Sequence, residues 1–309
     1  MRMNVAIIGG AGAMGLIVGA RLAQQGHHVS LLDVNRTAIE TINRDGARIT
    51  NKDGVEETIT SVRATDDAAS IGPVDLAVVF TKCYWTRDAV QNALPCIGPD
   101  TTVLSLQNGW GNYDVISAIV PAGQVLVGVT YISGTTLAPG HARQVGNPVA
   151  HVGRVGQPAN DLIRCIADAL TQAGIATTPS GDILTDVFKK LAINITTLPT
   201  SALLGLQAHR LIENSGTIRV MDDLLGEMVA VMRARGVAID FAERREAIHN
   251  LLKNAVGARG SMLQDVEAKR QTEIDVINGA IVQMGQQAGI PTPVNNTMVQ
   301  LIKALESKE

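Results

Sequence analysis

The sequence predicts an α/β fold in which an N-terminal doubly wound parallel sheet is followed by a C-terminal all-helical domain. Short apolar runs alternate with helical stretches through the first half of the chain, as in parallel sheets that are buried on both faces. A glycine-rich turn at residues 9–15 follows the first of these runs. From about residue 160 helical patterns dominate, with few strand signals between them. We therefore predict two domains, residues 1–172 and residues 173–309.

The individual elements follow from the same patterns. Short, mostly apolar runs predict strands over 5–8, 29–32, 76–80, 103–106 and 125–129. In the first half, helices are predicted from the glycine-rich turn to Gln25, where Gly26 ends the helix, and over 36–43. In the second half, the patterns predict helices over 160–173, 181–206, 211–234, 240–254, 271–288 and 295–306.

Size and composition restrict the class of protein. A chain of 309 residues is about twice the commonest domain size, which fits two domains. With 46% hydrophobic and 18% charged residues, the composition excludes a disordered protein. The net charge of -3 argues against a nucleic-acid binder, since such proteins present a basic face. The three cysteines are scattered without a CxxC pair, and the histidines show no ligand spacing, so we expect neither disulfides nor a metal site.

The N-terminus contains an uncharged run over residues 4–20 that is preceded by Arg2, as in a signal peptide. Glycines at positions 9, 10, 12 and 15 interrupt this run, which is too short and too rich in glycine to span a membrane. We therefore expect a cytoplasmic protein that does not insert into a membrane.

The strongest motif has the form GxGxxG and consists of Gly10, Gly12 and Gly15 with Ala13 and Met14 between the last two glycines. It follows a predicted strand and opens a predicted helix, which is the context that separates a Rossmann motif from a chance match. There the first glycine makes the turn, the second lets the backbone approach a pyrophosphate, and the third lets the helix pack on the strand. The helix N-terminus then favours the anion. The motif predicts that these five residues bind a nicotinamide dinucleotide.

Asp33 follows the second predicted strand, at about the 20-residue distance from the motif that is expected of a ribose-binding acid. A carboxylate there binds the ribose 2′-hydroxyl and repels a 2′-phosphate, so Asp33 favours NAD over NADP. Two alternatives stay open. Asp33 is a solvated acid at a strand end, or the nearby Arg36 holds the 2′-phosphate of NADP.

Reduction of a carbonyl places charge on its oxygen, so the site needs an acid or a cation beside that atom. Lys190 and Asn194 are four residues apart and therefore share one face of a predicted helix. Their apolar neighbours indicate that this helix is mostly buried, so its few polar side chains are expected to face a cleft. The alternative for Lys190 is an ordinary solvated lysine.

Two further polar residues lie at positions that suit a site. Asn108 follows a predicted strand, at the edge of the sheet where doubly wound folds bind ligands, although an Asn–Gly pair is also a common turn. Glu273 borders an apolar helix face, and a buried carboxylate is costly unless it is paired. The alternative for Glu273 is an acid that stabilises the first turn of a helix.

Taken together, these stretches resemble the ketopantoate reductase family over essentially the whole chain. The matching motifs, in order, are GxGAMG at 10–15, Thr81–Lys82, LQNG at 106–109, KLAxN at 190–194, SMLQD at 261–265, TEIDxING at 272–279 and GIPTP at 289–293. The resemblance implies that Lys190 protonates or polarises the carbonyl oxygen. It also implies that Glu273 engages the substrate hydroxyl or orders the lysine, that Asn108 and Lys82 line the cleft for cofactor and substrate, and that Asn194 and Ser261 hold the substrate.

Three positions depart from the family pattern. Leu198, just before Pro199, stands where the family usually has a second substrate-contacting asparagine, and a further expected asparagine is matched only by the region of Gln207. Asp33 stands where NADPH-using relatives often carry a basic residue. The loss of two polar contacts should weaken binding of a small polyhydroxy acid. We expect Leu198 to face the substrate as an apolar wall, and the alternative is that it packs in the core.

The expected function is NAD(P)H-dependent reduction of a 2-keto acid to the 2-hydroxy acid. Ketopantoate, reduced to pantoate in pantothenate biosynthesis, is the default substrate, with NAD as the expected cofactor and NADP as the alternative. One rival is a related enzyme that acts on a keto acid with a more apolar tail. A second rival is a non-catalytic NAD(P)-binding redox sensor, against which the presence of both Lys190 and Glu273 argues. We expect a homodimer whose ligands are small molecules.

Overall fold

The computed structural model describes residues 2–146 and 148–307 of the chain. Its strands are β1 (Asn4–Ile8), β2 (His28–Leu32), β3 (Ala47–Thr50), β4 (Glu56–Ile59), β5 (Val62–Thr65), β6 (Leu76–Val79), β7 (Thr102–Ser105), β8 (Val125–Thr130), β9 (Ser133–Ala138), β10 (His141–Val145), β11 (Val149–Gly153) and β12 (Ala176–Pro179). Its α-helices are α1 (Ala13–Gln24), α2 (Arg36–Asp45), α3 (Thr86–Asn92), α4 (Asn112–Ser117), α5 (Asp161–Gln172), α6 (Ile183–Leu204), α7 (Ser215–Ala234), α8 (Phe241–Asn254), α9 (Ser261–Glu267), α10 (Asn278–Ala288) and α11 (Pro293–Glu306). The five predicted strands are all present, with small differences at their ends.

Eight strands form the main sheet, in the order β12-β11-β8-β7-β6-β1-β2-β5. Neighbouring strands are parallel except β8 and β11, which are antiparallel. The register places Ile8 beside Leu32 and Val79, and Val79 beside Ser105. The turns that follow β1, β2, β6 and β7 therefore begin at one edge of the sheet, the edge at which doubly wound folds bind ligands.

Both faces of the central strands of the main sheet are buried, which explains why β1, β6 and β8 are mostly apolar in sequence. Along β1, Val5 and Ile7 pack into the core that α1 and α5 complete. Ala6 and Ile8 point to the opposite face and pack into the core of α3 and α4. Helices thus cover the two faces of one mostly parallel sheet, and the predicted doubly wound α/β fold is confirmed.

A second sheet, with strand order β4-β3-β10-β9, was not predicted from the sequence. It packs on α1, since a Cβ atom built on Gly134 of β9 would lie 2.7 Å from the Ile17 side chain. Most side chains of β9 and β4 are at least partly exposed, so these strands lack the apolar runs that identify buried strands. The edge strands β5 and β12 of the main sheet were missed because their side chains are not all buried, so neither strand is an apolar run.

The chain divides into two compact units. The first contains the residues up to Gln107 and those from Asn112 to Ile183, and the second contains Asn108–Gly111 and the residues from Leu184 onward. The division into domains at 172/173 stays a prediction. In the structure β12 follows that point and pairs with β11.

The second unit is helical and packs around an apolar core to which Phe188, Ile195, Met228, Met232 and Ile281 contribute. Methionine, whose flexible side chain fills irregular gaps, is frequent in this core, and the aromatic content of the chain is only 3%. Within the described part of the chain, none of the helices combines the length and the apolar character that crossing a membrane demands.

The prediction of one helix over 271–288 was wrong at its start. A 3₁₀ turn at Ile274–Val276 comes first, Ile277 leaves the helical region with φ −102° and ψ −95°, and α10 begins at Asn278. Glu273 therefore precedes a tight turn rather than lying on a helix face. Apolar spacing continues smoothly across this break, so the sequence gives no signal of it. The short helix α9 was likewise not predicted, because Gly257 and Gly260 just before it suggest a loop.

Candidate active site

The glycine-rich turn lies between β1 and α1, in the first unit, and two of its glycines are required by close contacts. A Cβ atom on Gly10 would lie 2.7 Å from Leu31 Cβ. A Cβ atom on Gly15 would overlap the carbonyl oxygen of Gly9. Any larger residue would therefore push the turn away from β2 or push α1 away from the turn, as the roles of the first and third motif glycines require.

Gly12 is different, since a Cβ atom there would meet only the Gly9 carbonyl oxygen, at 3.4 Å. Gly12 is exposed and is the residue before α1, which continues through Ala13 and Met14. Its surface is thus open at a helix N-terminus, with no acidic residue in the first turn of α1. These features fit a pyrophosphate that approaches the backbone closely and is attracted by the helix dipole.

Asp33 lies just after β2 and is tied to the glycine-rich turn. The backbone amide of Ala11 donates a hydrogen bond of 2.9 Å to Asp33 Oδ2, and the amide of Asn35 donates one of 3.0 Å to Oδ1. The structure therefore places the predicted ribose-binding acid beside the motif that precedes it by some 20 residues. Arg36, the alternative partner for a 2′-phosphate, is mostly exposed and faces Asp66 at 3.6 Å.

Lys82 follows β6 and is the residue before the 3₁₀ turn Cys83–Trp85. The loop that carries Lys82 is held by hydrogen bonds from Gln107, a residue that was not predicted to have a role. Gln107 Nε2 donates to the carbonyl oxygen of Thr81 at 2.8 Å and to Thr86 Oγ1 at 2.7 Å. Lys82 is thus held at the same edge of the sheet as the glycine-rich turn.

Lys190 and Asn108 are brought together in the second unit. Lys190 Nζ donates a hydrogen bond of 2.8 Å to Asn108 Oδ1. Lys190 lies in the middle of α6, a largely apolar helix, as the sequence predicts. Asn108 belongs to the segment Asn108–Gly111, which packs with the helices although its chain neighbours belong to the sheet.

The environment of Lys190 lowers its pKa to about 8, because burial disfavours the charged ammonium group. The negative charge of Glu273 acts in the opposite direction and raises the pKa of Lys190. Glu273 itself is only 7% exposed. The structure therefore groups Lys190, Asn108 and Glu273, and it produces a lysine that gains and loses a proton close to neutral pH.

The segment that carries Asn108 is fixed to the turn after Glu273. The amide of Trp110 donates a hydrogen bond of 2.8 Å to the carbonyl oxygen of Val276. A Cβ atom on Gly109, whose φ is +81°, would overlap the same oxygen. The ring of Trp110 also packs on Phe188, two residues before Lys190, with 5.3 Å between ring centres. These contacts hold Asn108, Lys190 and Glu273 in one arrangement.

Gly109, Trp110 and Val276 were not assigned these roles from the sequence. The Asn–Gly pair was the only signal, since glycine after asparagine marks a residue with positive φ. The remaining contacts join parts of the chain that are far apart in sequence.

The predicted substrate residues lie on α6 and at the start of α9. Asn194, one turn after Lys190, is 9% exposed. Leu198 is partly buried, packs against the helical core and lies over Gly260, where a Cβ atom would meet Leu198 Cδ2 at 3.0 Å. Ser261, the next residue, is exposed at the first position of α9. Leu198 thus lies beside the segment that carries Ser261, and the substrate roles of all three residues stay predictions.

Over residues 2–146 and 148–307, no three His, Cys, Asp or Glu side chains gather as they would around a metal ion. Lys190 is a cationic side chain within hydrogen-bond distance of Asn108.

Comparison with protein families gives two matches in sequence. Residues 5–157 match the family model described as ketopantoate reductase PanE/ApbA, and residues 182–306 match its C-terminal partner, described as ketopantoate reductase PanE/ApbA C terminal. The chain is 30% identical to the 2-dehydropantoate 2-reductase of Streptococcus pyogenes serotype M6, over 97% of each chain. It is also 30% identical to the enzyme of that name from Halobacterium salinarum, over 96% of this chain and 97% of the relative.

Solved structures of similar enzymes match the chain over almost its whole length. A ternary complex of D-mandelate dehydrogenase with NADH and anilino(oxo)acetate superposes with a TM-score of 0.93 at 27% identity, over 98% of each chain. A PanE/ApbA family ketopantoate reductase from Ralstonia eutropha JMP134 superposes with a TM-score of 0.90 at 29% identity, over 99% of each chain. The chain therefore belongs to the ketopantoate reductase family and is an oxidoreductase that acts on CH–OH groups with a nicotinamide cofactor.

Proposed function

We propose that this enzyme reduces a 2-keto acid to the 2-hydroxy acid with NADH, and that Lys190 is the proton donor. The observation that carries the proposal is the hydrogen bond of 2.8 Å between Lys190 Nζ and Asn108 Oδ1, at a lysine whose pKa lies at about 8. A lysine with an ordinary pKa of about 10.4 is a weak proton donor at neutral pH. At a pKa near 8 the ammonium group is both populated at neutral pH and able to give up its proton.

Lys190, Asn108 and Glu273 provide the charges and hydrogen bonds that the reaction requires. When bound, the nicotinamide cofactor supplies the hydride that reduces the carbonyl carbon. The Lys190 ammonium group stabilises the charge that develops on the carbonyl oxygen and then transfers a proton to that oxygen, so a hydroxyl group results. Asn108 accepts a hydrogen bond from Lys190 and orients it, while Glu273 favours its protonated form.

The proposed preference for NAD over NADP rests on Asp33. Its two carboxylate oxygens accept backbone hydrogen bonds from Ala11 and Asn35, so the negative charge is fixed beside the glycine-rich turn. A fixed charge there repels a 2′-phosphate and accepts a hydrogen bond from a 2′-hydroxyl. The NADH found in the similar D-mandelate dehydrogenase supports the same preference.

Ketopantoate is the proposed substrate, on the names of the sequence relatives. A keto acid with a more apolar tail is the second candidate. It is supported by Leu198, which places an apolar side chain one turn beyond Asn194 on α6, and by the similarity to D-mandelate dehydrogenase.

The test is a steady-state assay with both cofactors and a panel of keto acids. The panel should include ketopantoate, an aliphatic 2-keto acid with a branched tail and phenylglyoxylate, and oxidation of NADH and NADPH is followed for each. The highest kcat/KM should occur with NADH and one of these 2-keto acids. Absence of turnover with every 2-keto acid, in a protein that still binds NADH, would contradict the proposal and favour a binding function such as a redox sensor.

A further inference from the structure

Helix α6, which carries Lys190 and Asn194, contains a proline at position 199. Proline has no backbone N–H, and inside a helix it removes the hydrogen bond to the carbonyl group four residues earlier. The carbonyl group affected here is that of Ile195, which is fully buried. A buried carbonyl oxygen needs a donor from elsewhere, since leaving it without one costs stability.

Asn278 supplies that donor. Its side-chain Nδ2 donates to the carbonyl oxygen of Ile195 at 3.1 Å and to Asn295 Oδ1 at 3.0 Å. The side chains of Asn278 and Asn295 are both 0% exposed. Asn278 is the first residue of α10, so its amide group joins the proline-interrupted part of α6 to the start of another helix.

The orientation of this bridge is fixed by a carboxylate. Asn295 Nδ2 donates to Glu227 Oε2 at 2.7 Å, and Glu227 also accepts the backbone amides of Val294 and Asn295, at 2.7 Å and 2.9 Å. A carboxylate accepts hydrogen bonds only, so Asn295 must present its NH₂ group to Glu227 and its oxygen to Asn278. Asn278 in turn must present its NH₂ group to both acceptors. Hydrogen-bond donation therefore starts at Asn278 and runs both to Ile195 on α6 and, through Asn295, to Glu227 on α7.

We propose that Asn278 is a positioning residue for the reaction, because its bridge to Ile195 fixes α6 relative to the segment that carries Glu273. Ile195 directly follows Asn194 and lies little more than one turn beyond Lys190. Asn278 follows Glu273 by five residues, across the non-helical backbone of Ile277. The bridge thus connects the two segments that hold the proposed acid and its neighbouring carboxylate, and Pro199 makes it necessary. The inference rests on the proposed role of Lys190.

Loss of the bridge should act through Lys190. If α6 and the Glu273 segment become free to separate, the negative charge of Glu273 acts less strongly on the ammonium group. Glu273 raises the pKa of Lys190, so the pKa should then fall below its value of about 8. Less of the lysine is protonated at neutral pH, and kcat should fall. The KM of the cofactor should not change, because the glycine-rich turn belongs to the other unit.

The experiment uses Asn278→Leu, Pro199→Ala and the double variant in the full chain. Asn278→Leu keeps the side-chain size but removes the donors. Pro199→Ala restores a backbone N–H that can bond Ile195 within the helix, so the double variant satisfies the Ile195 carbonyl without the bridge. Matched controls are Asn296→Leu, at an exposed position of α11 beside Asn295, and Pro293→Ala, at the exposed start of α11. The readouts are Tm, kcat, cofactor KM and the pKa of Lys190 from a ¹³C NMR titration of its side chain.

We expect Asn278→Leu to lower Tm, to lower the pKa of Lys190 and to lower kcat by about tenfold or more, since small displacements of reacting groups are costly. The double variant should recover Tm relative to Asn278→Leu but should keep the low pKa and the low kcat. Recovery of the wild-type pKa and kcat in the double variant would overturn the proposal, because the bridge would then only satisfy a carbonyl group. An unchanged pKa in Asn278→Leu would overturn it equally. The NMR titration needs no substrate, so it tests Asn278 even if the 2-keto acid assay fails for the wild type.

Discussion

Lys190 Nζ donates a hydrogen bond of 2.8 Å to Asn108 Oδ1, and this contact joins the middle of α6 to the segment that follows β7. The two residues are 82 positions apart and lie in different predicted domains, yet they belong to the same compact unit. Burial lowers the pKa of Lys190 to about 8, and Glu273 limits that fall. The proposed chemistry depends on this group of three side chains.

Replacement of the proposed acid is the most direct test. Lys190→Ala should lower kcat by about 10²–10⁴-fold, the usual effect of losing a general acid or an oxyanion-stabilising group. Cofactor affinity, measured by fluorescence titration of NADH, should change little. Lys189→Ala, which removes the neighbouring lysine, is the matched control and should keep near-normal turnover. Normal turnover in Lys190→Ala would mean that another group donates the proton.

The pH dependence of kcat follows from the pKa of Lys190. A proton donor must be protonated, so the rate of reduction should be highest below about pH 8 and should fall as the pH rises through that value. Glu273→Gln removes the charge that raises the pKa of Lys190. The pH at which kcat begins to fall, the descending limb of the pH profile, should therefore be lower in this variant. Glu246→Gln, an exposed substitution on α8, should leave the profile in place. A limb that moves to higher pH in Glu273→Gln would contradict the assigned roles.

Cofactor choice is tested at Asp33. Asp33→Ala removes a fixed negative charge from the glycine-rich turn, so the ratio of kcat/KM for NADH to that for NADPH should decrease. The KM of NADH should rise, because the ribose 2′-hydroxyl and the Ala11 amide both lose a hydrogen-bond acceptor. Asp53→Ala, in an exposed turn, serves as the control. A wild-type preference for NADPH would refute the assignment and direct attention to Arg36.

The substrate is tested at Leu198. If Leu198 faces the substrate, Leu198→Asn should raise kcat/KM for ketopantoate by a few-fold to roughly tenfold, as expected from one hydrogen bond of about 0.5–1.5 kcal/mol. It should also lower kcat/KM for a keto acid with an apolar tail. The partly buried side chain packs against the helical core, so Tm must be measured beside the kinetics. A large loss of Tm with no gain on ketopantoate would show that Leu198 is a core residue. Leu204→Asn, at the exposed end of α6, is the control.

The arrangement of the segment Asn108–Gly111 is tested with two glycines that both have positive φ. Gly109→Ala places a methyl group against the Val276 carbonyl oxygen and should move Asn108 away from Lys190, so kcat should fall by about tenfold or more. Gly111→Ala imposes a similar backbone strain at φ +114°, but no atom lies within 4 Å of the added Cβ. Its effect on kcat should therefore be smaller. Equal losses in the two variants would mean that backbone strain, and not the position of Asn108, is responsible.

Much of the fold is readable from the sequence because its strongest signals are local. The strands β1, β2, β6, β7 and β8 are largely buried on both faces and are therefore rich in apolar residues. Gly10 and Gly15 form part of a recognisable sequence motif because neither position has room for a side chain. The strands β4 and β9 of the second sheet are largely exposed and so lack apolar runs. The break before α10 lies at a single non-helical residue, Ile277, and does not alter the spacing of apolar residues.

The candidate site, like the fold, could be predicted from the sequence only where the signal is local. By itself the sequence determined the residue types that a reductase needs and the elements on which they lie, including Lys190 on a buried helix and Asn108 after a strand. Only the tertiary structure decided that Asn108 lies against Lys190, that the Val276 carbonyl fixes Gly109 and Trp110, and that Asn278 satisfies the carbonyl left by Pro199. Each of these contacts joins segments that are distant in the chain. Their geometry follows from how whole helices and loops pack, which no local pattern of residues specifies.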